Sequence, residues 1–136
     1  MNVPEHEHQT IIVGDVHGCL TEFDALLRKA RFMRGDRLIL VGDLVAKGPD
    51  SAGVVARARE LGALGVRGNH DERVISWFKA EREGRALDRP LSRSHRAVCA
   101  TLEDEDVAWL EALPLYMRLP EERVTVVHAG LRPGVA

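Results

Sequence analysis

Four clusters of potential metal ligands recur along the chain, each directly after a short apolar run. Their members are Asp15 and His17, then Asp43, Asn69 and finally His128. Carboxylate, amide and imidazole groups without thiolate suit Mn, Fe, Co, Ni or Zn better than a cysteine-rich structural zinc site does. A carboxylate can bridge two cations, and Asp43 is the natural bridge. Two cations about 3.5–4 Å apart clamp the attacking and leaving oxygens of an in-line displacement. They also convert a bridging water into a hydroxide nucleophile.

The apolar runs have the lengths of buried strands that alternate with helices. We predict strands over 10–13, 37–41, 63–66, 115–119 and 124–128. Helical spacing of apolar side chains predicts helices over 21–32, 50–61, 71–82, 93–102 and 104–113. Thr21 is the expected N-cap of the first helix. The alternation indicates an α/β fold, and in open α/β sheets ligands bind beyond the carboxyl ends of the strands. The four clusters can therefore converge on one point.

Composition indicates one soluble, folded domain. The chain has 136 residues, a formal net charge of −2 and 45% hydrophobic residues, which argues against disorder and against a protein that coats DNA. Two cysteines, Cys19 and Cys99, are too few for a disulfide scaffold, and we interpret both as small buried residues. The N-terminus lacks the pattern of a signal peptide, and no apolar run is long enough to cross a bilayer. We therefore expect a cytoplasmic protein without a membrane partner.

The two ends of the chain indicate a flexible N-terminal tail and a domain that is incomplete at its C-terminus. Residues 1–9 are predicted to be a flexible tail and 10–136 the domain. The chain stops soon after its last predicted strand, so we expect it to end in mid-domain and to contain only the N-terminal part. An uncovered sheet edge would favour self-association into a homo-oligomer.

Four ordered motifs resemble one known family. They occupy residues 14–19 (GDVHGC), 42–51 (GDLVAKGPDS), 66–71 (VRGNHD) and 127–131 (VHAGL). Together they resemble the calcineurin-like metallophosphatases, in particular the phosphoprotein-phosphatase branch and, within it, proteins similar to symmetrical bis(5′-nucleosyl)-tetraphosphatases. The resemblance implies a metallophosphatase-like layered αββα sandwich, incomplete at its C-terminus.

The resemblance also implies how two divalent metal ions are held. Asp15, His17 and Asp43 would bind the first ion. Asp43, Asn69 and His128 would bind the second, with Asp43 as the bridge. Mn is the first expectation for both ions, and Fe, Zn, Co and Ni are the others. Relatives supply a further histidine ligand from a later motif, beyond the end of this chain.

Catalytic and substrate contacts follow from the same resemblance. His70 would be the general acid, while Lys47 and Arg67 would bind the substrate phosphate. Lys47 stands where relatives usually carry arginine, and it cannot make that residue's bidentate contact. Ala46 stands where protein phosphatases carry an aspartate that pairs with the catalytic histidine, so another group, such as Asp71 or water, would have to orient His70.

The function implied is hydrolysis of phosphate ester or phosphoanhydride bonds, with dinucleoside polyphosphate or polyphosphate as the expected substrate. A serine/threonine protein phosphatase is the alternative within the enzyme class, and Ala46 and Lys47 count against it. A truncated, non-catalytic fragment that binds metal or phosphate is the alternative of another class. Nucleic acid is expected only as a phosphorylated substrate, since a dedicated nucleic-acid module would bind with strong salt dependence. His95 is interpreted as a surface residue of its helix.

Overall fold

The computed structural model describes residues 7–134 and contains the predicted elements in the predicted order. The strands are β1 (Thr10–Val13), β2 (Arg37–Leu40), β3 (Leu64–Gly65), β4 (Tyr116–Leu119) and β5 (Val124–Val127). The helices are α1 (Leu20–Lys29), α2 (Ser51–Glu60), α3 (Asn69–Glu83), α4 (Arg93–Cys99) and α5 (Asp104–Ala112). The α/β fold class is confirmed, and most boundaries lie within three residues of the prediction.

Two small sheets provide the scaffold. The first is parallel with strand order β1-β2-β3, in which Val13 pairs with Leu40 and Leu40 pairs with Gly65. The second is the antiparallel hairpin β4-β5, in which Tyr116 pairs with Val127. Because β1, β2 and β3 are parallel, their carboxyl ends meet at one edge of the sheet.

The parallel sheet is buried on both faces along β2, which explains the continuous apolar sequence of that strand. Leu40 belongs to the main core, which the sheet forms with side chains of the helices, including Val54 and Ile75. Ile39 points to the opposite face and packs with residues of the hairpin. That second cluster consists of Ile39, Val66, Leu119 and Val126. The layers are therefore helices, parallel sheet and hairpin.

Side-chain caps begin α2 and α4. The Asp50 carboxylate accepts a hydrogen bond from Gly53 N (2.8 Å) and caps α2, and Ser92 Oγ accepts one from His95 N (3.2 Å) and caps α4. The prediction of Thr21 as an N-cap is wrong, because α1 begins at Leu20 after Cys19. No side-chain cap replaces it among the described contacts of Cys19.

Part of the predicted tail is held against the domain. Gln9 donates hydrogen bonds from its backbone N to Asp36 Oδ1 (3.1 Å) and from its side chain to Ala30 O (3.0 Å). Residues 1–6 of the predicted tail lie outside the described residues, so the boundary at residue 9 stays a prediction. Across residues 7–134, no helix is both long and apolar enough to cross a membrane.

The two cysteines have different environments. Cys99 is buried in the main core, as predicted, whereas Cys19 is half-buried beside α1. Burial raises the pKa of the Cys99 thiol to about 11, so the thiol is protonated at neutral pH and ionises only as the pH approaches that value.

We expect native Cys99 to react with iodoacetamide at pH 8 about 100-fold more slowly than an ordinary thiol, because its thiolate fraction is that much smaller. Timed labelling followed by peptide mass spectrometry measures the rate. Cys19 is the internal control and should react first. Equal rates for the two native cysteines would contradict the burial of Cys99.

Candidate metal centre

The loops after β1 and β2 are joined through their backbones. His17 N donates to Asp43 O (2.9 Å), and Gly18 N donates to Leu44 O (2.8 Å). These bonds cross from the first ligand cluster to the second. Backbone hydrogen bonds alone therefore fix the spacing of these two clusters.

Two glycines allow the loops after β2 and β3 to touch. A Cβ built on Gly68 would lie 2.2 Å from both Asp43 N and Asp43 Oδ1, and one on Gly42 would lie 2.6 Å from Gly68 N. Gly42 also has a φ of +87°, a backbone conformation that residues other than glycine rarely adopt. The contact between these loops leaves no room for a methyl group.

Replacing Gly68 with alanine should therefore separate the loops and weaken metal binding at least about 10-fold, on the scale of lost supporting contacts at metal sites. Isothermal titration with Mn²⁺ measures the affinity. Gly14→Ala is the matched control, because a Cβ on Gly14 meets nothing within 4 Å. Equal affinities for the two variants would show that the close approach does not matter.

Asp43 lies at the middle of the ligand side chains. Its Oδ2 is 3.6 Å from His17 Nε2 and 3.3 Å from His128 Nε2. His128 Nε2 also lies 3.0 Å from Asn69 Oδ1, and His17 Nε2 lies 3.6 Å from Asp15 Oδ2. The structure thus brings together all five metal ligands expected from the sequence.

Four of these side chains, together with His70, form two overlapping groups that could each hold a cation and that divide the side chains differently from the sets expected from the sequence. One contains His17, Asp43 and His70, and the other contains Asp15, Asp43 and His128. Asp43 is common to both groups, and its side chain is only 5% exposed. One buried carboxylate between two ligand groups is the arrangement that a pair of bridged cations requires.

Both ligand imidazoles are oriented by backbone carbonyls. His17 Nδ1 lies 3.1 Å from Val45 O, and His128 Nδ1 lies 2.8 Å from Val41 O. A carbonyl can only accept, so each Nδ1 carries a proton and each Nε2 lies on the side of Asp43. Metal-binding histidines are commonly held in this way.

Asp71 holds the loop that carries Asp43. Its buried carboxylate accepts backbone hydrogen bonds from Gly68 N (2.8 Å), Asp43 N (2.8 Å), Leu44 N (2.9 Å) and Val45 N (3.3 Å). Burial raises the pKa of the Asp71 carboxyl, and the bonds from the backbone oppose that shift. These bonds hold Asp71 toward the loop, and its carboxylate has no described hydrogen bond with the His70 side chain.

Comparison with known proteins decides the family. Residues 8–134 match the calcineurin-like phosphoesterase family. The chain belongs to this family. A relative in Psychromonas ingrahamii, named symmetrical bis(5′-nucleosyl)-tetraphosphatase, is 38% identical over 91% of this chain and 45% of its own length. A relative of the same name in Escherichia coli is 39% identical over 91% of this chain and 44% of its own.

Two solved structures are also similar. One, described as a candidate diadenosine tetraphosphatase, has a TM-score of 0.81 and 39% identity over 93% of this chain and 52% of its own. The other, a metallophosphoesterase from Sphaerobacter thermophilus, has a TM-score of 0.63 and 32% identity over 80% of this chain and 42% of its own. The chain spans less than half the length of the two curated relatives above.

Calcineurin-like phosphoesterases use divalent metal ions, and the donor set of this chain fits them. It combines carboxylates, an amide oxygen and two imidazoles whose Nε2 atoms converge on a buried carboxylate. Hard and borderline divalent ions accept this mixture.

The backbone of the candidate metal centre is held in uncommon conformations. His17, Asp43, Ala46 and Lys47 all have positive φ, between +48° and +71°. They are four of the six such non-glycine residues in the described part of the chain. Concentration of left-handed residues at one place is typical of functional loops whose geometry the surroundings impose.

His70 has a partner that the sequence prediction missed. His70 N donates to Asp43 Oδ1 (2.9 Å), and His70 Nδ1 lies 3.0 Å from His95 Nε2. The interpretation of His95 as a surface helix residue is wrong, because the Ser92 cap starts α4 at a point where its third residue reaches the site. Burial, together with the neighbouring His70 and Arg73, lowers the pKa of His95.

The two predicted phosphate-binding residues differ in their surroundings. Lys47 is exposed, and its backbone N donates to Ser94 Oγ (2.6 Å). The Arg67 guanidinium instead donates to Glu72 Oε2 (2.7 Å) and to Glu111 O (2.6 Å), and its side chain is 15% exposed. Substrate would have to displace Glu72 to reach Arg67, so the phosphate contact of Arg67 stays a prediction.

Proposed function

We propose that this phosphoesterase hydrolyses phosphoanhydride bonds, with dinucleoside polyphosphates as its substrate class. The observation that carries the proposal is the buried Asp43 carboxylate shared by two groups of potential metal ligands. The printed names of the relatives, bis(5′-nucleosyl)-tetraphosphatase and diadenosine tetraphosphatase, support the choice of substrate.

Two divalent ions, Mn²⁺ as the first expectation, would be held by the strand-end side chains. Asp15, His17 and Asp43 would hold one ion, and Asp43, Asn69 and His128 the other. When bound, such ions supply Lewis acidity at phosphorus and an activated water. The carbonyls of Val41 and Val45 keep His128 and His17 turned toward this position.

His70 is proposed as the general acid that protonates the leaving oxygen. The bond from its backbone N to Asp43 Oδ1 keeps the residue at the edge of the ligand set, in the first turn of α3. Its Nδ1 faces His95, which leaves Nε2 as the nitrogen available to substrate. A proton positioned in this way typically contributes a factor of about 10²–10⁴ to the rate.

Lys47 is proposed to bind a substrate phosphate as an exposed point charge. It lines a cavity of about 480 Å³ together with Pro49, Arg93, Ser94 and Thr101. Two cationic side chains along one groove can pair with successive phosphates. This supports a polyphosphate substrate over a monoester.

Turnover of three substrates tests the proposal. The Mn²⁺-loaded chain is assayed with diadenosine tetraphosphate, p-nitrophenyl phosphate and a phosphoserine peptide, and we expect the first to have the highest kcat/KM. Preference for the peptide would indicate a protein phosphatase instead. Metal binding without any turnover would contradict catalysis by this chain and support a non-catalytic fragment.

Replacing His70 with alanine should lower kcat about 100-fold or more for diadenosine tetraphosphate, because a poor leaving group needs a proton. The loss should be much smaller for p-nitrophenyl phosphate, whose leaving group is stable as an anion. Initial rates with both substrates at saturating Mn²⁺ measure the effect. Equal losses on both would remove His70 from the general-acid role.

A cytoplasmic location and self-association also stay predictions. Large exposed apolar side chains on and beside the hairpin, Leu115, Tyr116 and Leu131, support self-association. Light scattering at increasing protein concentration measures it.

A further inference from the structure

We propose that His95 is the positioning residue for His70. In this arrangement His95 Nε2 accepts the Nδ1–H of His70 and keeps His70 Nε2 facing the metal centre. The proposal rests on the proposed function, in which His70 is the general acid. It assigns a role to α4, an element that carries none of the metal ligands.

The two rings lie nearly parallel, with facing nitrogens at hydrogen-bonding distance. The two nitrogens are 3.0 Å apart, the ring centroids are 5.1 Å apart and the planes differ by 12°. The centroids are farther apart than the nitrogens, so the two nitrogens lie on the sides of the rings that face each other.

His70 is held from three directions. His95 contacts Nδ1, His17 packs edge-on against the ring with centroids 5.1 Å apart at 87°, and Asp43 accepts the backbone N–H. Rotation of the His70 ring would break the contact with His95. Ala46 has only a methyl group to offer, so it cannot take over the hydrogen bond.

Ser92 contacts the other ring nitrogen of His95 and can accept its proton in a hydrogen bond. Ser92 Oγ lies 2.5 Å from His95 Nδ1 and also accepts the backbone N–H of His95 at 3.2 Å. A hydroxyl oxygen can accept two hydrogen bonds, so it can take both the backbone N–H and the Nδ1–H of a neutral imidazole. The Nε2 lone pair of His95 is then free to accept from His70.

A neutral His95 is the form that the proposal needs. Burial and the nearby cationic groups lower the pKa of His95. The lone pair on His95 Nε2 is therefore available at neutral pH. In the chain Ser92–His95–His70, a neutral His95 can accept the Nδ1–H of His70.

Imidazole NMR tests this arrangement without turnover. Long-range ¹H–¹⁵N spectra are recorded on the metal-free chain and on the chain loaded with diamagnetic Zn²⁺, with the His70 signals assigned by a His70→Gln variant. We expect wild-type His70 to carry its proton on Nδ1. In His95→Ala the His70 ring should shift toward the Nε2–H tautomer that free histidine favours in water.

Two further variants separate positioning from folding. His95→Gln places an amide oxygen near the position of Nε2 and should restore the Nδ1–H of His70. Arg96→Ala removes a neighbouring exposed side chain of α4 and should leave His70 unchanged. An Nε2–H tautomer in the wild type, or the same tautomer mixture in wild type and His95→Ala, would overturn the proposal.

Kinetics then connect the geometry to catalysis. In His95→Ala we expect kcat for diadenosine tetraphosphate to fall about 10–100-fold at an unchanged KM, with partial rescue in His95→Gln. A tautomer change without any change in kcat would keep the hydrogen bond but overturn the positioning role. An inactive wild-type chain would contradict the proposed function, and the NMR result would still decide whether His95 orients His70.

Discussion

Changing Asp43 to asparagine is expected to lower turnover by a factor on the order of 10³ and to abolish paired metal binding. Asp43 is the carboxylate that the two ligand groups share, and the amide that replaces it carries no charge. Asparagine tolerates left-handed backbone, so the φ of +53° at this position should survive the change. Initial rates with diadenosine tetraphosphate across a range of Mn²⁺ concentrations measure the loss.

Asp88→Asn is the matched control, because it makes the same carboxylate-to-amide change at an exposed residue between α3 and α4. It should retain wild-type turnover. Activity of Asp43→Asn within about 10-fold of the wild type would contradict a shared, charged bridge, since higher Mn²⁺ could not restore the lost carboxylate.

Changing Asp71 to asparagine is expected to lower the free energy of unfolding by about 3 kcal/mol. The Asp71 carboxylate accepts backbone N–H groups of Gly68, Asp43, Leu44 and Val45 in a fully buried position. An asparagine NH₂ would face some of these donors, and at least one N–H would lose its partner.

Urea unfolding in the presence of a chelator measures this loss without a contribution from bound metal. Asp104→Asn, in the exposed first turn of α5, is the control and should cost no more than about 0.5 kcal/mol. A loss below about 1 kcal/mol in Asp71→Asn would mean that the loop does not depend on this carboxylate.

The proximity of the candidate metal ligands could be predicted from the sequence, because it follows from the direction of the strands. Asp15, Asp43 and Asn69 each follow a strand of one parallel sheet, so their side chains necessarily begin at the same edge. His128 follows the hairpin, and the Nδ1 bond to Val41 O shows how the second sheet brings it to the same point. Apolar periodicity was sufficient to find these strands.

The role of His95 could not be predicted in this way. His95 and His70 are separated by 25 positions, and their contact depends on how the segment between α3 and α4 places the first turn of α4. Apolar periodicity gives the buried face of a helix but not its position along a neighbouring helix. The capping serine, Ser92, directly precedes the Arg-Ser-His turn and signals the helix start alone.

Asp71 illustrates a second limit of sequence reasoning. An acidic residue in the first turn of a helix is ordinarily explained by the helix dipole. Here the carboxylate reaches another loop, because Gly42 and Gly68 let the two backbones approach within contact distance. The contact between these two loops is seen only in the structure, because neither glycine by itself indicates which backbone it will approach.

The central claim is that four strand-end clusters form one centre for two cations. Native mass spectrometry of the chain titrated with Mn²⁺ tests it most directly, with Asp43→Asn measured beside the wild type. We predict about two ions per wild-type chain and no two-ion species in the variant. A wild-type chain that binds one ion or none, or an Asp43→Asn chain that still binds two, would contradict it.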